Sequence, residues 1–321
     1  MTVTPRDRFV NALERKPPLP GPVPHFELAF FLTMEAFGRI SPFQRHFSQW
    51  KQMTETERDL HRRDVADLYI QAARHYGWAG IFFHEPRGWE EEDTRRAIEH
   101  VRDLSGREFF LAVHGDGTMG MPAGADMMEF VERLADRPDD VRAGNARREA
   151  DAIARAERIR RWGTVDGFGM CVDYALNDRP FLSPAMFDDF VAPYLAREIG
   201  ACREMGFYVI KHSDGNLMPV LDAILAAKPH ALHSLDPQGG MDLAHLKRAV
   251  GGRVCLIGNV NCALLQTGTD DEVAADARRA LRDGMPGGGY IFGTSNCIYT
   301  GMPLARYDLM LDIWRKEGIY R

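Results

Sequence analysis

The chain has 321 residues, 45% of them hydrophobic and 27% charged, with 40 Lys+Arg against 46 Asp+Glu. That is apolar material enough for one large domain or two ordinary ones, and too much for a disordered chain. A net charge of −6 argues against non-specific nucleic-acid binding, and no apolar stretch approaches the roughly 18–20 residues of a membrane span.

Five dispersed cysteines (Cys171, Cys202, Cys255, Cys262 and Cys297) suit reduced thiols better than a disulfide framework. Residues 1–16 are charged and hold no apolar signal core, so a cytoplasmic location is expected.

Thr4-Pro5 opens a helix to about Arg15, which precedes the first strand and is placed to close a barrel floor. Eight β-rich runs then recur at 22–30, 77–85, 108–114, 167–174, 207–212, 231–235, 253–259 and 289–293. Several are continuous apolar stretches, as strands buried on both faces require. The intervals carry helix signals. Ser183-Pro184 supplies an N-cap before 185–205, and Thr269 to Glu272 form a capping box before 273–283. Short amphipathic helices are read at 216–227 and 242–250, and the last helix at 303–316. Eight β-then-α units predict a single (β/α)₈ TIM barrel over 1–321, with long insertions at 41–75 and 123–162 after strands one and three. An open doubly wound sheet is the alternative.

In such a barrel, chemistry gathers at the C-terminal strand ends. Those ends carry His25 and Glu27; His84 and Glu85; His114 and Asp116; Asp173 and Tyr174; and Lys211, His212 and Asp214. They continue with His233 and Asp236, Asn259 and Asn261, and Ser295, Asn296 and Cys297. The opposite ends are plainer, and that asymmetry is the main sign of an enzyme. Each residue alone also has a structural explanation as a cap or turn.

His212-x-Asp214 is the sharpest spacing, because positions i and i+2 of a strand share a side. The pair can bind a divalent metal, act as an oriented acid–base pair, or simply hydrogen-bond to each other. Cys297 can add a thiolate from strand eight, or pack as a small hydrophobe. Lys211 faces the other way, and sequence does not say which parity points inward. A Schiff-base lysine and a salt-bridged wall lysine therefore both stay open. Gly115 to Gly120 formally matches G-x-G-x-x-G, but Pro122 and Gly124 interrupt the helix that a dinucleotide site needs. It reads as an active-site loop. The arginines of 147–161 read as a solvated helix face, and Met119, Met121, Met127 and Met128 as packing or a pocket wall.

The order of several motifs resembles the uroporphyrinogen decarboxylase superfamily. These are His212-Ser-Asp-Gly-Asn216, His233-Ser-Leu-Asp-Pro237, Met241-Asp242, Lys247, Gly258-Asn-Val260 and Gly268-Thr269. Ser183-Pro184, Phe187, Pro193-Tyr194 and the 6–15 helix followed by Pro24 belong to the same resemblance. It covers most of the chain and is strongest from Asp173 onward. It implies the same barrel and two reaction classes. True uroporphyrinogen decarboxylases grip a many-carboxylate substrate with an arginine-bearing loop after strand one. Residues 25–38 offer Phe, Leu and Met there, with Glu27 repelling such a substrate. The other class moves methyl groups to or from corrinoids. Its zinc-dependent members bind metal with His-x-Cys on strand five and a Cys near strand eight. His212 matches the first ligand and Cys297 the third, while Asp214 replaces the middle Cys and makes the site harder.

The resemblance implies a methyltransferase or demethylase that transfers methyl between a small methylated substrate, or a thiol- or folate-type acceptor, and a corrinoid. Zinc is expected at His212, Asp214 and Cys297, and the corrinoid is expected on a partner protein. Asp173, Glu27, His84 and Asp116 are the expected catalytic residues; His114, Tyr174, His233, Asn259 and Asn296 are expected to bind substrate. Alternatives are a cofactor-independent decarboxylase for a smaller carboxylate and a non-catalytic subunit that binds a corrinoid protein. Beyond the small molecule and that partner, a homodimer is left open, and neither nucleic acid nor membrane is expected.

Overall fold

Helices in this chain start where a side chain satisfies their free N–H groups. In the computed structural model, which describes residues 3–321, Thr4 accepts from the Asp7 N–H and Asp7 accepts from the Thr4 N–H in a reciprocal cap. The expected Ser183 cap and Thr269–Glu272 capping box are both present.

In chain order the elements begin with α1 (Pro5–Leu13), β1 (Gly21–Pro22), α2 (Thr33–Phe37), α3 (Glu55–Tyr76), β2 (Gly80–Phe83), α4 (Glu91–Ser105) and β3 (Phe110–His114). Next come α5 (Met127–Asp136), α6 (Pro138–Arg160), β4 (Gly167–Met170), α7 (Pro184–Phe190), α8 (Ala192–Glu204), β5 (Tyr208–Ser213), α9 (Leu221–Ala226) and β6 (Ala231–Ser234). The chain ends with α10 (Leu243–Val250), β7 (Cys255–Ile257), α11 (Cys262–Thr267), α12 (Asp270–Gly284), β8 (Tyr290–Ile291), α13 (Leu304–Glu317) and β9 (Ile319–Tyr320). The expected continuous helix at 185–205 is broken. Pro193 lacks the N–H that an uninterrupted helix would need, and Val191 takes φ −124°, ψ −57° between α7 and α8.

Strands β2 to β8 form one parallel seven-stranded sheet in chain order. The 22–30 run lies between its two edges. His25 bridges in parallel to both Trp78 and Phe292, and its carbonyl accepts from the Ala79 N–H at 2.7 Å. Phe26 donates to the Phe292 carbonyl at 3.0 Å, and Phe30 bridges to Ile298. The architecture is therefore α/β and TIM-barrel-like, with isolated bridges instead of a full ladder at the first position. Pro22 and Pro24 have no N–H to donate there. Gly21 and Pro22 pair antiparallel with Tyr320 and Ile319, an unexpected clasp joining β1 to the end of the chain.

Two apolar layers result. The outer one fills the space between strands and helices; the inner one holds Phe26, Phe110, Ile210, Cys255, Ile257 and Ile291. Helix α1 plugs the floor of this inner core, as its position in the sequence suggested. Phe9 stacks on Phe110 at 4.5 Å, and Arg6 anchors the helix to Asp166 at 2.7 Å. A Cβ at Gly169 would sit 2.5 Å from the Phe82 ring, so only glycine lets that ring occupy the interior. No described helix is long and apolar enough to cross a membrane.

Candidate site at the barrel mouth

Strand β5 settles its own parity. Tyr208 and Ile210 pack with the inner core, so His212 also faces inward and Lys211 faces the helix layer. Lys211 is 1% exposed, and its Nζ donates to Asp116 Oδ2 and to the Val172 carbonyl, each at 2.8 Å. The same Nζ lies 4.0 Å from the Tyr174 ring centroid. Of the two readings of Lys211, the salt-bridged wall lysine is the one found. Asp116 also accepts from the Thr118 and Val172 N–H groups. Burial works to raise its carboxyl, but Lys211, Thr118 and Val172 outweigh it and hold Asp116 below the ordinary carboxylate range.

At the mouth, His212 is 5% exposed on its side chain, Asp214 29% and Asp173 41%, a gradient from floor to solvent. His212 Nε2 lies 3.7 Å from Asp173 Oδ1 and 3.7 Å from Asp214 Oδ1. These three residues form the group of metal-capable side chains that converges among the described residues, with donor atoms within 4.8 Å of one another. Two ligands of one tetrahedral divalent ion lie about 3.4 Å apart when each bond is about 2.1 Å. The two 3.7 Å separations from His212 Nε2 lie close to that value.

The group is held from behind. Asp214 accepts from Ser234 Oγ at 2.7 Å and from the Asn296 amide, and its N–H donates to Asp173 Oδ1 at 2.9 Å. Burial, reinforced by Asp173 and Asp236, pushes the Asp214 carboxyl up to about 6 against the pull of Ser234. His212 Nδ1 meets His233 Nδ1 at 2.8 Å, while the buried His233 Nε2 has no partner among the described residues. Burial, then Lys211 and His114, lower His212 to about 3, so the ring is neutral. A second imidazole pair adjoins: His114 Nε2 meets His84 Nδ1 at 2.7 Å, and His84 Nε2 meets the Leu28 carbonyl at 2.7 Å. A carbonyl only accepts, so His84 carries its proton on Nε2 and takes one from His114. Burial first, then a neighbouring charge or ring, lowers His84 to about 3 and His114 to about 4.

The other expected residues divide. Cys297 is half-buried with its N–H on Asn296 Oδ1 at 2.7 Å, and it is not one of the converging three. Burial, then Cys262 and Asp214, push its thiol up to about 12. Glu27 is buried, accepting from Thr294 Oγ1 and meeting His25 Nε2 at 2.9 Å. Asp116 and Tyr174 sit in the wall with Lys211, and Tyr174 bonds to Thr118. Asn259 spends its amide on the Leu235 and Met241 carbonyls and its oxygen on Arg279 of α12. Its side chain thus ties the wall to the helix layer.

Ser234 was missed by sequence reasoning. Its φ is +80°, and Leu235 follows at +49°, so strand alternation stops one residue before it would be used. The glycine-rich loop meets an internal carboxyl group: the Gly117 N–H donates to both oxygens of buried Glu198, at 3.1 and 3.0 Å. Burial, with Asp116 adding repulsion, pushes Glu198 up to about 8.

Fold and site together define an α/β barrel-like protein whose mouth presents a His/Asp/Asp donor set and two imidazole pairs. Residues 172–317 match the family model described as uroporphyrinogen decarboxylase (URO-D), the stretch over which the resemblance read from the motifs is strongest. Among solved structures, a methyltransferase from Methanosarcina mazei is 16% identical and has a TM-score of 0.74, covering 98% of this chain and 99% of its own. At that identity the likeness concerns the fold. An α-amylase from Geobacillus thermoleovorans complexed with acarbose is 6% identical over 79% of this chain and 72% of its own, with a TM-score of 0.47. No curated protein matches the sequence significantly.

Proposed function

We propose that the protein is a methyltransferase or demethylase of this superfamily, moving methyl between a small methylated substrate, or a thiol- or folate-type acceptor, and a corrinoid carried by a partner protein. The observation that carries the reading is the convergence of Asp173, His212 and Asp214 at the mouth of a barrel-like fold. The URO-D family match and the likeness in fold to a methyltransferase support it.

The three donors suit zinc or another borderline divalent ion with an open position. Such an ion supplies Lewis acidity to the heteroatom that carries or receives the methyl group. The chain's own residues do the rest. His212 and the two carboxylates orient around one point, with Asp214 pinned by Ser234 and Asn296. Asp173, the most exposed of the three, faces incoming substrate. The His84–His114 pair presents a neutral, fixed edge beside it. Methyl transfer would form a new bond to the methyl carbon with an electron pair from the acceptor, as the old bond breaks and the donor atom keeps its pair. Asp173 is the group placed to exchange a proton with that atom. Cys297 lies six residues beyond β8, on the loop that also carries Asn296.

The test is turnover of methylcobalamin with thiol acceptors, followed by cobalamin absorbance. Demethylation that is lost in His212→Ala supports the reading. Release of carbon dioxide from small carboxylates, with no cobalamin turnover, would establish the decarboxylase alternative. Tight binding of a corrinoid protein without turnover of either kind would establish the non-catalytic one.

A further inference from the structure

Between the loop that follows β3 and helices α5 and α6 lies a cavity of about 230 Å³, separate from the Asp173–His212–Asp214 group. Its apolar wall is Met119, Phe130 and Val141, and its charged wall is Arg133 and Arg148. No carboxylate lines it among the described residues. Arg148 also borders a neighbouring cavity of about 540 Å³ that reaches Arg155 and His114 at the edge of the mouth.

The two cations share this wall with no counter-charge beside them, and both are exposed to solvent. On α6, Arg142 pairs with Asp189 at 2.7 Å and Arg158 with Glu91 at 2.9 Å, while Arg147, Arg155 and Arg160 are without an ion pair among the described residues. Among the described residues, Arg133 and Arg148 have no carboxylate within ion-pair distance; Arg148 reaches only the neutral Asn145 side chain. Burial first, then Arg133 and Arg147, lower the Arg148 pKa, which is the mark of cations held together without a counter-charge. The wall is firmly set. A Cβ at Gly117 would lie 2.6 Å from the Arg148 carbonyl, so the loop rests directly on α6, and Phe130 packs against Phe181 at 5.4 Å. Two guanidinium forks beside a compact apolar surface are complementary to an anion with an apolar body.

We propose that the cavity between Arg133 and Arg148 binds an amphipathic anion, a carboxylate or phosphate monoester bearing an apolar group of about phenyl size. This binding does not depend on the methyl-transfer reading, and its test contains neither metal nor corrinoid.

The test is calorimetric titration of the full chain with phenyl phosphate, benzoate and uncharged benzyl alcohol. Saturable one-to-one binding of an anion is expected, at least tenfold weaker in Arg133→Gln and Arg148→Gln. It should change less than twofold in Arg160→Gln, which lies on α6 and lines neither cavity. The tighter of the two anions assigns the head group as phosphate or carboxylate. Arg133 makes no side-chain hydrogen bond among the described residues, so its replacement leaves the fold intact, and an unchanged thermal midpoint checks this. Absence of saturable anion binding overturns the proposal. So does equal affinity in all variants, or benzyl alcohol binding as tightly as the anions.

Discussion

His212 on β5 and His233 on β6 are register partners that meet Nδ1 to Nδ1 at 2.8 Å. One ring must donate and the other accept. If His212 donates, its Nε2 lone pair is left facing Asp173 and Asp214. That is the arrangement a metal-ligating histidine needs, with its second nitrogen fixed by a neighbour. His233→Phe should therefore weaken zinc binding by about 10- to 100-fold while leaving every direct ligand in place. Zinc titration calorimetry on the variant checks this, and unchanged affinity would mean that His233 only fills the core.

Lys211 and Asp116 are a buried ion pair in the wall, with side chains 1% and 6% exposed. Lys211→Met leaves the Asp116 carboxylate without its cation and should destabilise the fold by about 3–5 kcal/mol in urea denaturation. Adding Asp116→Asn should recover part of that loss, because the second change removes the stranded charge.

Gly117→Ala should destabilise by about 1–3 kcal/mol. The added methyl meets the Arg148 carbonyl at 2.6 Å and the Ala152 Cβ at 2.9 Å, and the loop must lift from α6. The same movement stretches the two bonds from the Gly117 N–H to Glu198. Equilibrium denaturation measures the loss.

Stability should depend on pH through two overlapping windows of opposite sign. His84 and His114 titrate at about 3 and about 4 in the fold against 6.5 when exposed. Their folded values are depressed, so their contribution is complete above 6.5 and lost as pH falls through that window. Glu198 is the opposite case, about 8 in the fold against 4.5. The unfolded chain gives up this proton first, so stability declines as pH rises from 4.5 through about 8. Glu198→Gln should abolish the decline between pH 4.5 and about 8, on the order of a few kcal/mol, and leave the histidine contribution in place. Denaturation midpoints across the pH range test both signs.

Local signals were the ones the sequence made legible. Thr4, Ser183 and Thr269 cap the helices they precede because a cap needs only neighbours within one turn. His212 and Asp214 share the mouth because strand period is fixed at two. Which parity faces inward depends on how β5 packs against other strands, so Lys211 was undecidable from its own segment. The same limit explains Asp116, Tyr174 and Asn259. A strand-end position places a residue near the mouth but does not say on which side of the wall its side chain falls. Ser234 was hidden by a positive φ, and the β1–β9 clasp by a separation of almost the whole chain. Pro193 was visible as a helix breaker, yet a single helix was read through it.

Zinc binding to the Asp173–His212–Asp214 group is the most direct measurement of the proposed chemistry. Calorimetry on metal-stripped protein should find one tight site, lost in His212→Ala and weakened by at least tenfold in Asp173→Asn and Asp214→Asn. Cys297→Ala in the same series reads whether the thiol joins as a further ligand. No stoichiometric binding, or binding that survives His212→Ala unchanged, would contradict a metal-assisted site at this mouth.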